Sequence, residues 1–135
     1  TCDKIHAQTN VAYGMFPNFI TPTDTSGYPA ILFWPKGLKE TEFEWTQLAP
    51  NWSGDEKPDY WNEQEVSFDS IMDEDFQNLE PMQRSHDSGV FESMPLNYQE
   101  RRIYYYHQVI DDWIGRDNLP ENIQVPNVLD PFIEA

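Results

Sequence analysis

The sequence predicts an α+β fold: an antiparallel sheet segment with helices packed on one side. Three observations carry that expectation. Glu40–Leu48 alternates strictly, with Phe43, Trp45 and Gln47 on one face and Glu42, Glu44 and Thr46 on the other. This is the period-two pattern of a strand with one wet face. From Asp59 to about Arg84 the apolar positions recur at helical spacing instead. A second helical stripe follows in Ile103, Tyr106, His107, Ile110, Trp113 and Ile114. The chain therefore reads as one partial domain over 1–135, with a β-rich front at 9–50, a helical region at 57–115 and an extended tail at 116–135.

Ala12–Ile20 is aromatic and bounded by Pro22 and Gly27, which predicts a strand made irregular at Pro17. Within Pro29–Trp34, Ala30 to Trp34 is an unbroken apolar run, the signature of a strand covered on both faces. Pro35, Lys36 and Gly37 supply turn chemistry, and the short connection predicts an antiparallel hairpin with Glu40–Leu48. Pro50 to Lys57 is a loop, in which Ser53 or Asp55 is placed to cap the next helix, with Pro58 near its first turn. Pro81 is expected to end or kink that helix. After the loop Ser85–Pro95, Asn97 is a good N-cap with Glu100 three residues on, as in a capping box, and Gly115 is a natural stop. The tail carries Pro120, Pro126 and Pro131 and is expected to lie extended over the domain surface.

A length of 135 residues suits one domain with a single core, or part of a larger one. Eight Lys and Arg against 24 Asp and Glu give a formal charge of −16. Such a surface repels phosphate backbones and anionic lipid, so neither nucleic acid nor a membrane is an expected partner. An aromatic fraction of 15% is too high for a disordered acidic chain. No apolar run approaches the ~20 residues of a membrane span. One cysteine, Cys2, cannot form an internal disulfide framework, a CxxC zinc site or an iron–sulfur cluster within this chain. No secretory leader is visible, and the expected location is cytoplasmic. The first residue is Thr1 rather than Met, which suggests trimming or a segment of something longer.

The most informative residue emerges from a helical wheel. With Phe68 at zero and an advance of about 100° per residue, Trp61, Ile71, Met72, Leu79 and Met82 cluster between about 300° and 40°. Asp69, Asp73, Glu74 and Glu80 fall on the opposite side. Asp75 falls near 340°, inside the apolar stripe. An ionised carboxylate on a buried face costs several kcal/mol unless it is paired, hydrogen-bonded or metal-bound. Asp75 therefore either bonds a buried donor, such as Arg101, Arg102 or a tryptophan N–H, or it binds a cation or does proton chemistry.

The string around it, "DEDFQNLEPMQ" (Asp73–Gln83), resembles the E-D-x-x-x-x-E-x-x-Q stretch in the C-terminal catalytic domain of Rieske non-haem iron oxygenase α subunits, the ring-hydroxylating dioxygenases and their demethylase relatives. "MPLNYQERRIYYYHQVIDDWIG" (Met94–Gly115) is similar to that domain's final helix, and "GMFPNFITP" and "AILFWP" to its sheet strands. The resemblance covers most of the chain. It implies a helix-grip architecture and O2-dependent hydroxylation or oxidative demethylation of an apolar or aromatic substrate at mononuclear Fe(II). It also implies electrons arriving from a reductase through a Rieske domain, and a homo-oligomer.

Asp75 then matches the carboxylate of a 2-His-1-carboxylate facial triad, which leaves the opposite face of the metal open. Phe68, Ile71, Met72 and Leu79 would line the substrate pocket, with plain core packing as the alternative, and Glu80 and Gln83 would be supporting residues. The family's close pair of histidine ligands and the Rieske Cys-x-His and Cys-x-x-His pairs are absent. His6 stands alone. His86 lies 11 residues beyond Asp75, about 16 Å along a straight helix. His107 reads as a hydrogen-bonded core histidine. This chain alone is thus expected to be inactive and to hold iron weakly, if at all. Two further readings stay open: a non-catalytic helix-grip module that binds a hydrophobic ligand, and a self-associating truncated product.

Overall fold

Four strands form one open antiparallel sheet in the order β1-β2-β3-β4: β1 (Val11–Met15), β2 (Phe19–Thr23), β3 (Tyr28–Gly37) and β4 (Glu40–Leu48). A long helix, α1 (Asp59–Asp87), follows, and later a shorter one, α2 (Arg101–Ile114). The computed structural model describes residues 3–5, 7–23, 27–91 and 93–128. These elements bear out the α+β expectation. The chain divides into two compact units, Thr1–Val90 and Phe91–Ala135.

In the first unit, strict alternation along β4 sets which face meets the helix. The register pairs Ile31 with Trp45 and Phe33 with Phe43, so these four side chains share one face. α1 runs back antiparallel to β4 across that face. Trp45 meets Phe68 with ring centroids 4.4 Å apart, Phe43 meets Phe76 at 4.8 Å, and Phe33 meets Phe43 at 5.6 Å. Where α1 begins, Gly27 is essential. Its φ is +127°, and a Cβ there would lie 1.9 Å from the Gln47 amide and 3.1 Å from the Trp61 ring.

Five expectations are corrected here. Ala12–Ile20 is two strands, β1 and β2, and Pro17 lies in the hairpin turn between them, where Met15 pairs with Phe19. Proline lacks the N–H a ladder needs, so a turn accommodates it better than a strand interior. β3 runs through Pro35 to Gly37 with a register shift there, which moves the turn to Leu38 and Lys39. Nor is β3 covered on both faces. Pro29 and Ile31 are buried beneath the helix, but Trp34 on the other face is 43% exposed and donates its Nε1–H to Glu44 at 3.1 Å. Finally, α1 continues through Pro81 to Asp87, and Pro58, not Ser53 or Asp55, stands at its N-cap with no side-chain cap. Local bonds hold the turns around the proline: Ser85 Oγ donates to the Pro81 carbonyl at 3.0 Å, Asn78 Nδ2 to the Glu74 carbonyl at 3.1 Å, and Arg84 pairs with Glu80.

In the second unit, Asn97 accepts from the backbone N–H of Gln99 and Glu100, and Glu100 accepts from the Asn97 N–H at 2.9 Å. This is the capping box the sequence predicts, opening a 3-10 turn (Tyr98–Glu100) that leads into α2. Gly115, at φ +86°, ends the helix. The segment beyond contains two 3-10 turns, Arg116–Asn118 and Glu121–Ile123. It is tied to α2 by hydrogen bonds. Asp111 accepts from the Val125 N–H at 2.6 Å, Gln108 donates to Asn127 at 3.1 Å, and Tyr104 donates to the Pro126 carbonyl at 2.7 Å. Arg116 reaches the Val125 carbonyl at 2.8 Å and also pairs with Asp112 and Asn127. The inward face of α2 is thus Tyr104, Gln108 and Asp111; of the expected stripe, Ile110 is half-buried and Ile103, Tyr106, His107, Trp113 and Ile114 are exposed. The cause is the polar lining of the following segment, which recruits the polar face of the helix. His107 is accordingly exposed and not a core histidine.

Candidate functional site

α1 stands off the sheet on large rings, and a cavity of about 290 Å³ opens along its flank in the first unit. Pro22 and Pro29 bound it from the strands, and Gln64, Phe68, Ile71 and Met72 from the helix. Spacing explains the gap. Phe68 and Phe76 touch the β4 rings, but the residues between them on the flank are shorter. Proline on the sheet side presents a smooth apolar wall.

Phe68, Ile71 and Met72, three of the four residues expected to line a pocket, meet at this cavity. Leu79 does not. It is 55% exposed, and Met82 is 51% exposed.

Asp75 lies one helical turn beyond Ile71 and Met72, at the end of the same flank. Its side chain is exposed and makes no hydrogen bond or ion pair among the described residues. The expectation of an acid turned into a dry pocket is therefore corrected for this chain. The half-buried positions are Trp61, Gln64, Glu65, Phe68, Met72 and Phe76. On the wheel they span about 320° to 80°, so Asp75 is exposed although its angle falls inside that arc. The ring contacts that seat α1, Phe43 with Phe76 and Trp45 with Phe68, are made by its neighbours, and the wheel alone contains no information about them.

The two supporting candidates are engaged locally. Glu80 pairs with Arg84, and Gln83 donates to Asp87 at 3.0 Å. Asp87 also accepts from Lys39 of the β3–β4 turn at 2.6 Å. The Lys39 hydrogen bond, reinforced by Gln83, holds the Asp87 carboxyl below its ordinary value of 3.8. His86 is exposed near the end of α1, and Arg101 donates to the Tyr98 carbonyl at 3.0 Å and stands over the Tyr98 ring. His6 and Cys2 lie outside the described residues.

Among the described residues no three His, Cys, Asp or Glu side chains come together as a metal site. The residues around Asp75 do not, by themselves, fit a mononuclear iron centre, which needs imidazole beside the carboxylate. No described helix is long and apolar enough to cross a membrane.

Sequence reasoning missed the polar side of the cavity. Gln64 and Ser67 border it, and they share one helical row with Ile71 and Asp75, between about 260° and 340° on the wheel. Counting amides and hydroxyls along with apolar and acidic residues would have found them.

No curated protein and no solved structure gives a significant match to the chain. The family of ring hydroxylating alpha subunit catalytic domains does match, over residues 3–116. That span takes in the sheet, all of α1 with Asp75, and α2. The family implies an oxidoreductase acting on aromatic rings with non-haem iron in the parent enzyme. With most of its length matched, the chain belongs to the ring-hydroxylating α-subunit catalytic-domain family.

Proposed function

We propose that this chain forms part of the catalytic domain of a ring-hydroxylating oxygenase, and that its sheet and α1 build one wall of the substrate site. The parent reaction is O2-dependent hydroxylation or oxidative demethylation of an apolar or aromatic compound, fed with electrons from NAD(P)H through a reductase and a Rieske domain. In this reading Asp75 supplies the carboxylate of the mononuclear iron site, and the imidazole ligands come from α-subunit residues not in this sequence. The subunits assemble as a homo-oligomer in the cytoplasm. The observation that carries the reading is the family match across residues 3–116, which includes the acid motif Asp73–Gln83.

Within this chain α1 orients the flank, Pro22, Pro29 and Phe68 give the cavity apolar walls, and Asp75 offers a hard anionic oxygen one helical turn beyond Ile71. The chain by itself is expected to be inactive. The test is Asp75→Ala in the α subunit that contains this segment. Mononuclear iron should fall to background by metal analysis while the Rieske absorption and the far-ultraviolet circular dichroism stay unchanged. Iron retained at the wild-type level would overturn the assignment.

A second reading is favoured by one specific observation, the exposed Asp75 without partners. It is a non-catalytic module that carries a hydrophobic ligand. In that case Asp75→Asn leaves ligand binding unchanged and no iron accompanies the protein.

A further inference from the structure

We propose that the flank cavity selects a neutral, polar-headed aromatic molecule about two rings long over the corresponding carboxylate, with its head group at Gln64 and Ser67 and its body along Ile71 and Met72. The inference rests on the substrate-wall reading above and adds the chemical class of the occupant. Polar and apolar groups are segregated along the helical wall of the cavity, while on the sheet wall Pro29 stands beside its register partner Gln47. Gln64 and Ser67 lie at one end of the helical row and Ile71 and Met72 at the other, with Asn10 and Gln47 adding amides from the sheet side. From Gln64 or Ser67 to Met72 the helix rises roughly 8–12 Å. Two para-linked rings span that distance, and a single ring does not.

Charge decides the head group. No Lys, Arg or His borders the cavity among the described residues. Lys57, the cation nearest in sequence to the helical wall, is already paired with Glu65 on the other flank of α1. A carboxylate entering here would lose water and gain no counter-ion, within a chain of net charge −16. An ammonium head finds no carboxylate in the lining either. A primary amide or similar neutral group both donates and accepts, and it meets the Gln64 side chain with complementary bonds. An unsubstituted hydrocarbon would leave those bonds unanswered.

The test is a fluorescence titration of the full chain, because Trp45 stands against Phe68, which borders the cavity. The probes are biphenyl-4-carboxamide, biphenyl, biphenyl-4-carboxylate and biphenyl-4-methylammonium, at neutral pH. The carboxamide should bind at least tenfold more tightly than the carboxylate. Gln64→Leu should bring the carboxamide down to the level of biphenyl without weakening biphenyl itself. Gln64→Lys should reverse the order of carboxamide and carboxylate. Ser67→Ala, at an exposed helical position, serves as a second variant should Gln64→Leu alter the circular dichroism.

Equal or tighter binding of the carboxylate or the ammonium, no saturable signal with the carboxamide, or an unchanged carboxamide affinity in a folded Gln64→Leu protein would each overturn the proposal. No iron, O2 or turnover enters the titration. The Asp75→Ala iron measurement can therefore fail while this result stands, and the reverse also holds.

Discussion

In the first unit α1 meets the sheet through rings, Phe68 on Trp45 and Phe76 on Phe43. In the second unit α2 is bound to the segment after it through named donors and acceptors: Asp111 to Val125, Gln108 to Asn127, and Arg116 to Asp112, Val125 and Asn127. Aromatic rings attract over a range of tilts and separations, so they hold a helix against a sheet without fixing it atom by atom. Hydrogen bonds to a backbone N–H and a backbone carbonyl fix one register. Rings also act as spacers. A helix standing off on Phe68 and Phe76 leaves room along its flank, and that room is the cavity. In the polar unit the segments lie at hydrogen-bond distance instead.

The largest expected effect comes from the apolar side of this comparison. Ile31 is 5% exposed, buried together with Pro29 beneath the helix. Ile31→Ala should cost about 2–4 kcal/mol, from lost transfer energy and the void left behind. Urea denaturation followed by tryptophan fluorescence would measure it. A loss well below 1 kcal/mol would mean that the half-buried rings carry the unit without Ile31.

Next is the polar side. Asp111 is 8% exposed and its carboxylate is the acceptor for the Val125 N–H. Asp111→Leu should cost about 1–3 kcal/mol, since it strands that N–H, and hydrogen exchange at Val125 should accelerate. Asp111→Asn keeps an acceptor oxygen and should recover most of the protection. If both variants exchange alike, the bond is not what fixes the segment. Asn97→Ala should have a smaller effect, about 1 kcal/mol, confined to the start of α2 and visible as fraying of Gln99 and Glu100 by exchange.

The same contrast explains what was legible in the sequence. β4 was readable to its ends because alternation along nine residues is a local rule, and the side of Phe43 and Trp45 followed from it. Asn97, Glu100 and Gly115 were readable because capping is decided within four residues. The face of α1 was not. Its rotation depends on which sheet rings reach it, and Phe76, not Asp75, answers Phe43. Pro81 did not mark the end of α1, which runs on to Asp87. The inward face of α2 was hidden by its polarity, because hydropathy cannot mark Gln108 and Asp111 as buried. The candidate site was half legible. Its apolar members Phe68, Ile71 and Met72 lay on the wheel, while Gln64 and Ser67 carried no hydropathy signal.

The smallest expected effect concerns the one ionic tie between the β3–β4 turn and the end of α1, Lys39 to Asp87 at 2.6 Å. The Lys39 hydrogen bond and Gln83 lower the Asp87 pKa from 3.8 in the folded chain. A lowered folded-state pKa means that the stabilisation is complete above the unfolded value and is lost as pH falls through the folded one. The pair therefore contributes a constant increment at neutral pH, and its loss begins only below about pH 4. Both groups are exposed, so salt screens the pair and the increment is small. Lys39→Met should leave the thermal midpoint at pH 7 in physiological salt unchanged within error, while the Asp87 carboxyl, followed by NMR, titrates closer to 3.8. If the midpoint at pH 7 instead fell by several degrees, the ionic tie and not the aromatic contacts would be holding the end of α1, and the contrast between a ring-held and a polar-held unit would fail at its first member.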